Sequence, residues 1–164
     1  MPLPGIRATF IWVALGCLGL ILTALYMQHM MDMHPCPLCI TQRVFVILVG
    51  LVALVAALHM PAQTGRRLYA SLGGLFAIIG GGVSARHVWI QNLPEDQVPA
   101  CGPGLEYMFE TFPIMEALAL LFQGDGNCAD VVWSFLGLSI PAWTLVAFAG
   151  LLAINVWQGL RRSA

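Results

Sequence analysis

Lysine is absent from this chain, and charge of either sign is scarce. Charged residues make up 9% of the 164 positions, against 59% hydrophobic residues. Soluble domains carry roughly 25% charge. A water-soluble protein of this length has room for one domain and cannot hide so much apolar surface. The missing charge therefore points to a bilayer as the solvent. No basic patch exists beyond the arginines that set orientation, so nucleic acid is not an expected partner. Repeats and low-complexity tracts are absent too. Gly80, Gly81 and Gly82 follow no strand, which excludes a phosphate loop and leaves close helix packing.

What is present is four long apolar runs. A spanning helix needs about 20 mostly apolar residues, and the candidates are 10–27, 40–58, 68–89 and 141–157. They predict an all-α membrane protein, an antiparallel four-helix bundle forming a single domain over 1–164. The first run follows a basic residue, Arg7, but is long and lacks a small-residue cleavage site, so it reads as retained.

Of the seven arginines, Arg7, Arg66, Arg67, Arg161 and Arg162 lie at the termini or in the turn 59–67. All eight acidic residues lie in the other two segments, 28–38 and 90–140. Positive charge near span ends marks the cytoplasmic side. Both termini and the 59–67 turn are thus expected in the cytoplasm, with the two acidic segments outside. Arg43 and Arg86 sit at the outward ends of spans, where charge signals either function or interfacial snorkelling.

The long outward segment carries Leu105, Met108, Phe109, Phe112, Met115, Leu118, Leu121 and Phe122 mostly at spacings of three and four. This predicts a short amphipathic helix, interrupted at Pro113, lying in the membrane interface or capping the bundle.

Topology assigned from charge and hydropathy places Cys36, Cys39, Cys101 and Cys128 on the oxidising side, where disulfides persist. Cys17 alone lies mid-span, as a small apolar filler. Cys36-Pro37-Leu38-Cys39 opens the second span. Three readings fit it: a redox dithiol, half of a four-cysteine zinc site, or a structural staple. A helix N-terminus and a nearby cation both favour thiolate, and Arg43 is four residues after Cys39, on the same helical face. Zinc sites usually pair two C-x-x-C knuckles, which Cys101 and Cys128 do not supply. A C-x-x-C disulfide closes too short a loop to stabilise much. Cys101, among glycines and prolines, is expected to be exposed and open to exchange with other proteins. Two dithiol pairs on one membrane face suggest a relay, with a strut for the long loop as the plainer alternative for Cys101 and Cys128.

The run Cys36-Pro37-Leu38-Cys39-Ile40-Thr41-Gln42-Arg43, the outward Cys101 and Cys128, and the run Cys128 to Leu138 with Trp133, Phe135, Leu136 and Gly137 resemble the DsbB family of bacterial disulfide bond formation proteins. The resemblance covers nearly the whole chain. It implies a quinone-dependent disulfide oxidoreductase of the bacterial inner membrane. Cys36 and Cys39 would match the pair that reduces ubiquinone or menaquinone, with Cys39 beside the ring and Arg43 next to both. Cys101 would match the cysteine that forms a mixed disulfide with a periplasmic thioredoxin-like oxidase of the DsbA type, and Cys128 its resolving partner. His87 resembles the family's histidine near the quinone, against the plainer reading of a polar residue at a helix end. No metal is expected. Pro37 and Gln42 stand at positions that vary or are acidic in relatives, which bears on redox poise. Two other readings remain: a quinone reductase of the vitamin K epoxide reductase type, which normally has its C-x-x-C late in the chain, and a non-catalytic metal-binding or thiol-sensing membrane protein.

Overall fold

The computed structural model describes residues 5–59, 62–102, 107 and 111–161. Five α-helices organise them: α1 (Ile6–Met30), α2 (Pro37–His59), α3 (Gln63–Gln91), α4 (Ile114–Gln123) and α5 (Ile140–Leu160). Helices α1, α2, α3 and α5 are each long and apolar enough to cross a membrane, as the four runs predict. α3 packs most extensively, against α5 on one side and α2 on the other, and α1 packs on α2. The chain is a multi-pass membrane protein by these four helices.

Each helix runs past its apolar window, because helical hydrogen bonding continues into the interface where hydropathy falls. α3 thus begins at Gln63 and takes in Arg66, which the sequence places in a turn. The Arg66 side chain is almost fully buried. It donates to the Arg161 carbonyl at the C-terminal end of α5, where the helix dipole favours a cation. Gln158 Nε2 donates to the Ile6 carbonyl at the start of α1, 2.8 Å away. Both contacts gather the starts of α1 and α3 and the end of α5 at one end of the bundle.

Packing between the helices relies on small residues. A Cβ on Gly80 would come within 2.3 Å of the Phe148 ring, so α3 approaches α5 only because that position is glycine. Cys17 lies buried against Gly50 of α2, in keeping with a filler. Leu15, Leu22, Leu51 and Leu75 stay exposed, which suits lipid rather than water.

The 90–140 segment is structured in several pieces. α4 starts directly after Pro113, where the sequence breaks the apolar periodicity. Leu105, Met108 and Phe109 fall outside the described residues, as do Glu106, Glu110 and Arg162. α4 packs against α2, and the Thr41 hydroxyl lies 3.5 Å from the Leu121 carbonyl. Leu121 is buried while Ile114, Met115, Leu118 and Phe122 are exposed. After a 3₁₀ turn, Gly126–Cys128, a two-stranded hairpin pairs β1 (Ser134–Phe135) with β2 (Leu138–Ser139). Leu136 and Gly137 both have positive φ, 52° and 77°, the geometry of a tight hairpin turn. The hairpin feeds α5.

Candidate active site

Pro37 is the first residue of α2, a position where its missing N–H costs nothing. The Cys36 carbonyl accepts from Ile40 N at 3.2 Å, so Cys36 stands at the mouth of the helix and Cys39 in its first turn. Their sulfurs are 3.1 Å apart, and both residues are half-buried. Negative charge on Cys39 would meet the free N–H groups of that first turn.

Across the bundle, His87 of α3 is 2% exposed. Its Nε2 lies 3.1 Å from the Cys128 carbonyl and 3.7 Å from Cys36 Sγ. The donor atoms of Cys36, His87 and Cys128 all lie within 4.8 Å of one another. The Cys36 sulfur therefore lies 3.1 Å from its C-x-x-C partner and within 4.8 Å of the distant Cys128. Contact with Cys36 and burial push the Cys128 thiol well above the ordinary thiol range. Three donors of this kind could also receive a thiophilic cation, though a structural zinc site takes four, and Cys39 and Cys101 stand outside the trio.

Cys101 is exposed and Cys128 buried. Their segments are laced together by Gly126 N donating to the Ala100 carbonyl at 3.2 Å. A Cβ on Gly126 would sit 2.5 Å from the Pro99 carbonyl oxygen and 3.2 Å from Cys101 Sγ, so glycine permits that approach. Cys128 Sγ also faces Asp125 Oδ1 at 3.6 Å, and Asn127 Nδ2 holds the other carboxylate oxygen at 3.1 Å.

Arg43 points away from this cluster. Its guanidinium donates to the Gln28 side chain and, at 3.3 Å, to the Ala24 carbonyl, both on α1. It remains within electrostatic reach of Cys39. Arg86 donates to the Gln123 carbonyl at 2.9 Å, which caps the C-terminal end of α4 and gives this charge a structural partner.

Two residues of the cluster were not assigned to the site by sequence: Asp125, and Gln42, which the sequence links only to redox poise. Gln42 is 3% exposed, and its Nε2 lies 3.1 Å from His87 Nδ1. Its position one turn after Cys39 on the same helix is the signal that could have pointed to that contact. Asp125 had none, since an acid in a turn-rich segment reads as solvated.

The chain matches the family model for disulfide bond formation protein DsbB over residues 6–158. The chain belongs to the DsbB family. It is 66% identical over 161 residues to the disulfide bond formation protein B of Saccharophagus degradans, a match covering 98% of this chain and 97% of that protein. The protein of the same name from Hahella chejuensis is 50% identical over 156 residues, with 95% and 94% covered. That from Stutzerimonas stutzeri is 48% identical over 162 residues, with 99% of each covered. Membership of the DsbB family makes the chain a disulfide-forming oxidoreductase.

Beside the sulfurs lies a cleft lined by Cys36, Cys39, His87, Trp133, Ile140 and Pro141, among others. The Trp133 ring stacks on Phe135 of the hairpin, centroids 6.0 Å apart and planes 13° apart.

Proposed function

We propose that this chain is a quinone-linked thiol oxidoreductase of the bacterial inner membrane, with both termini cytoplasmic, and that it reoxidises a periplasmic thioredoxin-like disulfide donor of the DsbA type. One observation carries the reading: the Cys36 sulfur sits between Cys39 and Cys128, where a disulfide can pass from one pair to the other.

Exchange proceeds by thiolate attack on a disulfide sulfur. A partner thiolate attacks Cys101 of the Cys101–Cys128 disulfide; the partner–Cys101 bond forms and the electron pair leaves on Cys128. Cys128 attacks Cys36 of the Cys36–Cys39 disulfide, forming Cys36–Cys128 and releasing Cys39 as thiolate in the first turn of α2. The partner's second thiolate displaces Cys101, which then attacks Cys128. Cys101–Cys128 is restored, Cys36 leaves as thiolate, and the two electrons rest on Cys36 and Cys39. A quinone, ubiquinone or menaquinone, would take up those two electrons and two protons when bound. Cys39, Trp133, Ile140 and Pro141 are the residues that would hold its ring, with Arg43 supplying positive charge nearby.

The test is anaerobic reduction of a short-chain ubiquinone or menaquinone by the purified protein, driven by a reduced thioredoxin-like partner and followed by quinone absorbance. No partner-dependent reduction would sink this reading. A reporter fused after Arg162 is expected to read cytoplasmic, and one near Gln97 periplasmic.

A further inference from the structure

Among the described residues, Gln42 of α2 and His87 of α3 form a buried polar pair, 3% and 2% exposed. Both ring nitrogens of His87 have neighbours that fix their protons. The Cys128 carbonyl, 3.1 Å from Nε2, can only accept, so Nε2 must carry a hydrogen. That N–H also faces Cys36 Sγ at 3.7 Å. Nδ1 lies 3.1 Å from Gln42 Nε2, an amide nitrogen that can only donate, so Nδ1 must present a lone pair. Turning the Gln42 amide over would set its oxygen against Nδ1 and demand a second proton there. The resulting imidazolium would be buried with no carboxylate beside it when the cysteines are oxidised. Among the described residues the one histidine–carboxylate pair is His34 with Asp32. A buried charge without a partner is strongly disfavoured.

We propose that Gln42 is a positioning residue: it clamps His87 as the neutral tautomer whose Nε2–H is aimed at Cys36, so that the imidazole offers the Cys36 sulfur a hydrogen bond and withholds its own protonation. Its importance to turnover rests on the relay proposed above, where Cys36 departs as a thiolate beside that N–H. Gln42 shares α2 with Cys39, one turn away. The clamp thus moves with the helix that carries the dithiol, while His87 is borne by α3.

The tautomer can be read directly by nitrogen NMR of the full chain labelled with ¹⁵N-histidine in detergent at pH 7, with the His87 signal assigned by its loss in His87→Asn. The expected wild-type spectrum of the oxidised protein has a protonated Nε2 and a bare Nδ1. Gln42→Glu, which turns an acceptor toward Nδ1, is expected to give the doubly protonated ring. Gln42→Leu is expected to give mixed tautomers, with iodoacetamide alkylation at Cys36, read by peptide mass, slowed about fivefold, the worth of one hydrogen bond. A wild-type Nδ1 that carries the proton overturns the proposal, and this needs no variant to fold. So does a Gln42→Glu spectrum identical to wild type. If the tautomer is as stated but partner-dependent quinone reduction is absent, the relay falls and the clamp stands. If reduction is robust but Nδ1 is protonated, the clamp alone falls.

Discussion

The thiols of Cys36 and Cys128 meet within 4.8 Å, joining the mouth of α2 to the 3₁₀ turn that follows α4. The two cysteines are far apart in sequence, and each also faces a different partner, Cys39 or the Cys101 segment. In the double variant Cys39→Ala/Cys101→Ala, mild oxidation is therefore expected to link Cys36 to Cys128 quantitatively. Disulfides need Cα atoms about 4.4–6.8 Å apart. Alkylation with a mass tag would count the remaining thiols, and two tags per chain outside Cys17 would show the pair does not meet.

Cys101 is exposed and Cys128 is buried, which divides their roles toward a soluble partner. In Cys128→Ala the free Cys101 thiolate is expected to attack the oxidised partner's disulfide and accumulate as a mixed disulfide, one partner sulfur leaving as thiolate, because the Cys128 thiol that could expel the partner is gone. Cys101→Ala is expected to trap almost none. Non-reducing gels of both variants decide it, and equal trapping would mean the buried sulfur is reached after all.

Gly126 lets the Cys101 segment lie against the turn that carries Cys128. A Cβ there would press to 2.5 Å on the Pro99 carbonyl oxygen and 3.1 Å on Cys101 N. Gly126→Ala is expected to cost about 1–3 kcal/mol locally, as overpacking does, and to make the Cys101–Cys128 disulfide easier to reduce. Titration against glutathione measures it. Thiol exchange between Cys36 and Cys39 should be unaffected.

Arg43 has two separable effects, a tie to α1 and a charge near Cys39. Arg43→Ala is expected to slow quinone reduction roughly tenfold or more, since a hydrogen bond or contact involving a charged group is worth about 1.5–3 kcal/mol. Arg43→Lys should fall between, keeping charge and losing the planar fork. Gln28→Ala, which loosens the tie and keeps the charge, is the control. Should Gln28→Ala slow the quinone step as much as Arg43→Ala, Arg43 is an anchor. Mixed-disulfide formation at Cys101 should be intact in all three.

Most of the fold was legible in the sequence because lipid imposes a one-dimensional constraint. A spanning helix must satisfy its own backbone and be apolar along its length, so 10–27, 40–58, 68–89 and 141–157 could be picked out by composition alone. The C-x-x-C pair was legible for a similar reason: Cys36 and Cys39 stand at and just inside the start of α2, and their spacing is a local property. Helix ends were not legible, because hydropathy falls before hydrogen bonding stops; Arg66 thus proved to be a buried helical residue. The direction of Arg43 and Arg86 was also beyond sequence, since a guanidinium goes to whichever carbonyl or amide the neighbouring helix presents.

What the sequence alone determined is the solvent, the number of spans and the set of cysteines that the proposed relay draws on. What only tertiary structure decided is which sulfur meets which, and what holds the histidine between them. Cys36, His87 and Cys128 come from three segments, and no spacing rule connects them. They converge because α2 packs on α3 while the Gly126–Cys128 turn folds back over their ends. Gln42 meets His87 by the same packing, and a side chain's partner across a helix interface depends on the rotation of both helices, which apolar patterns this uniform leave unspecified.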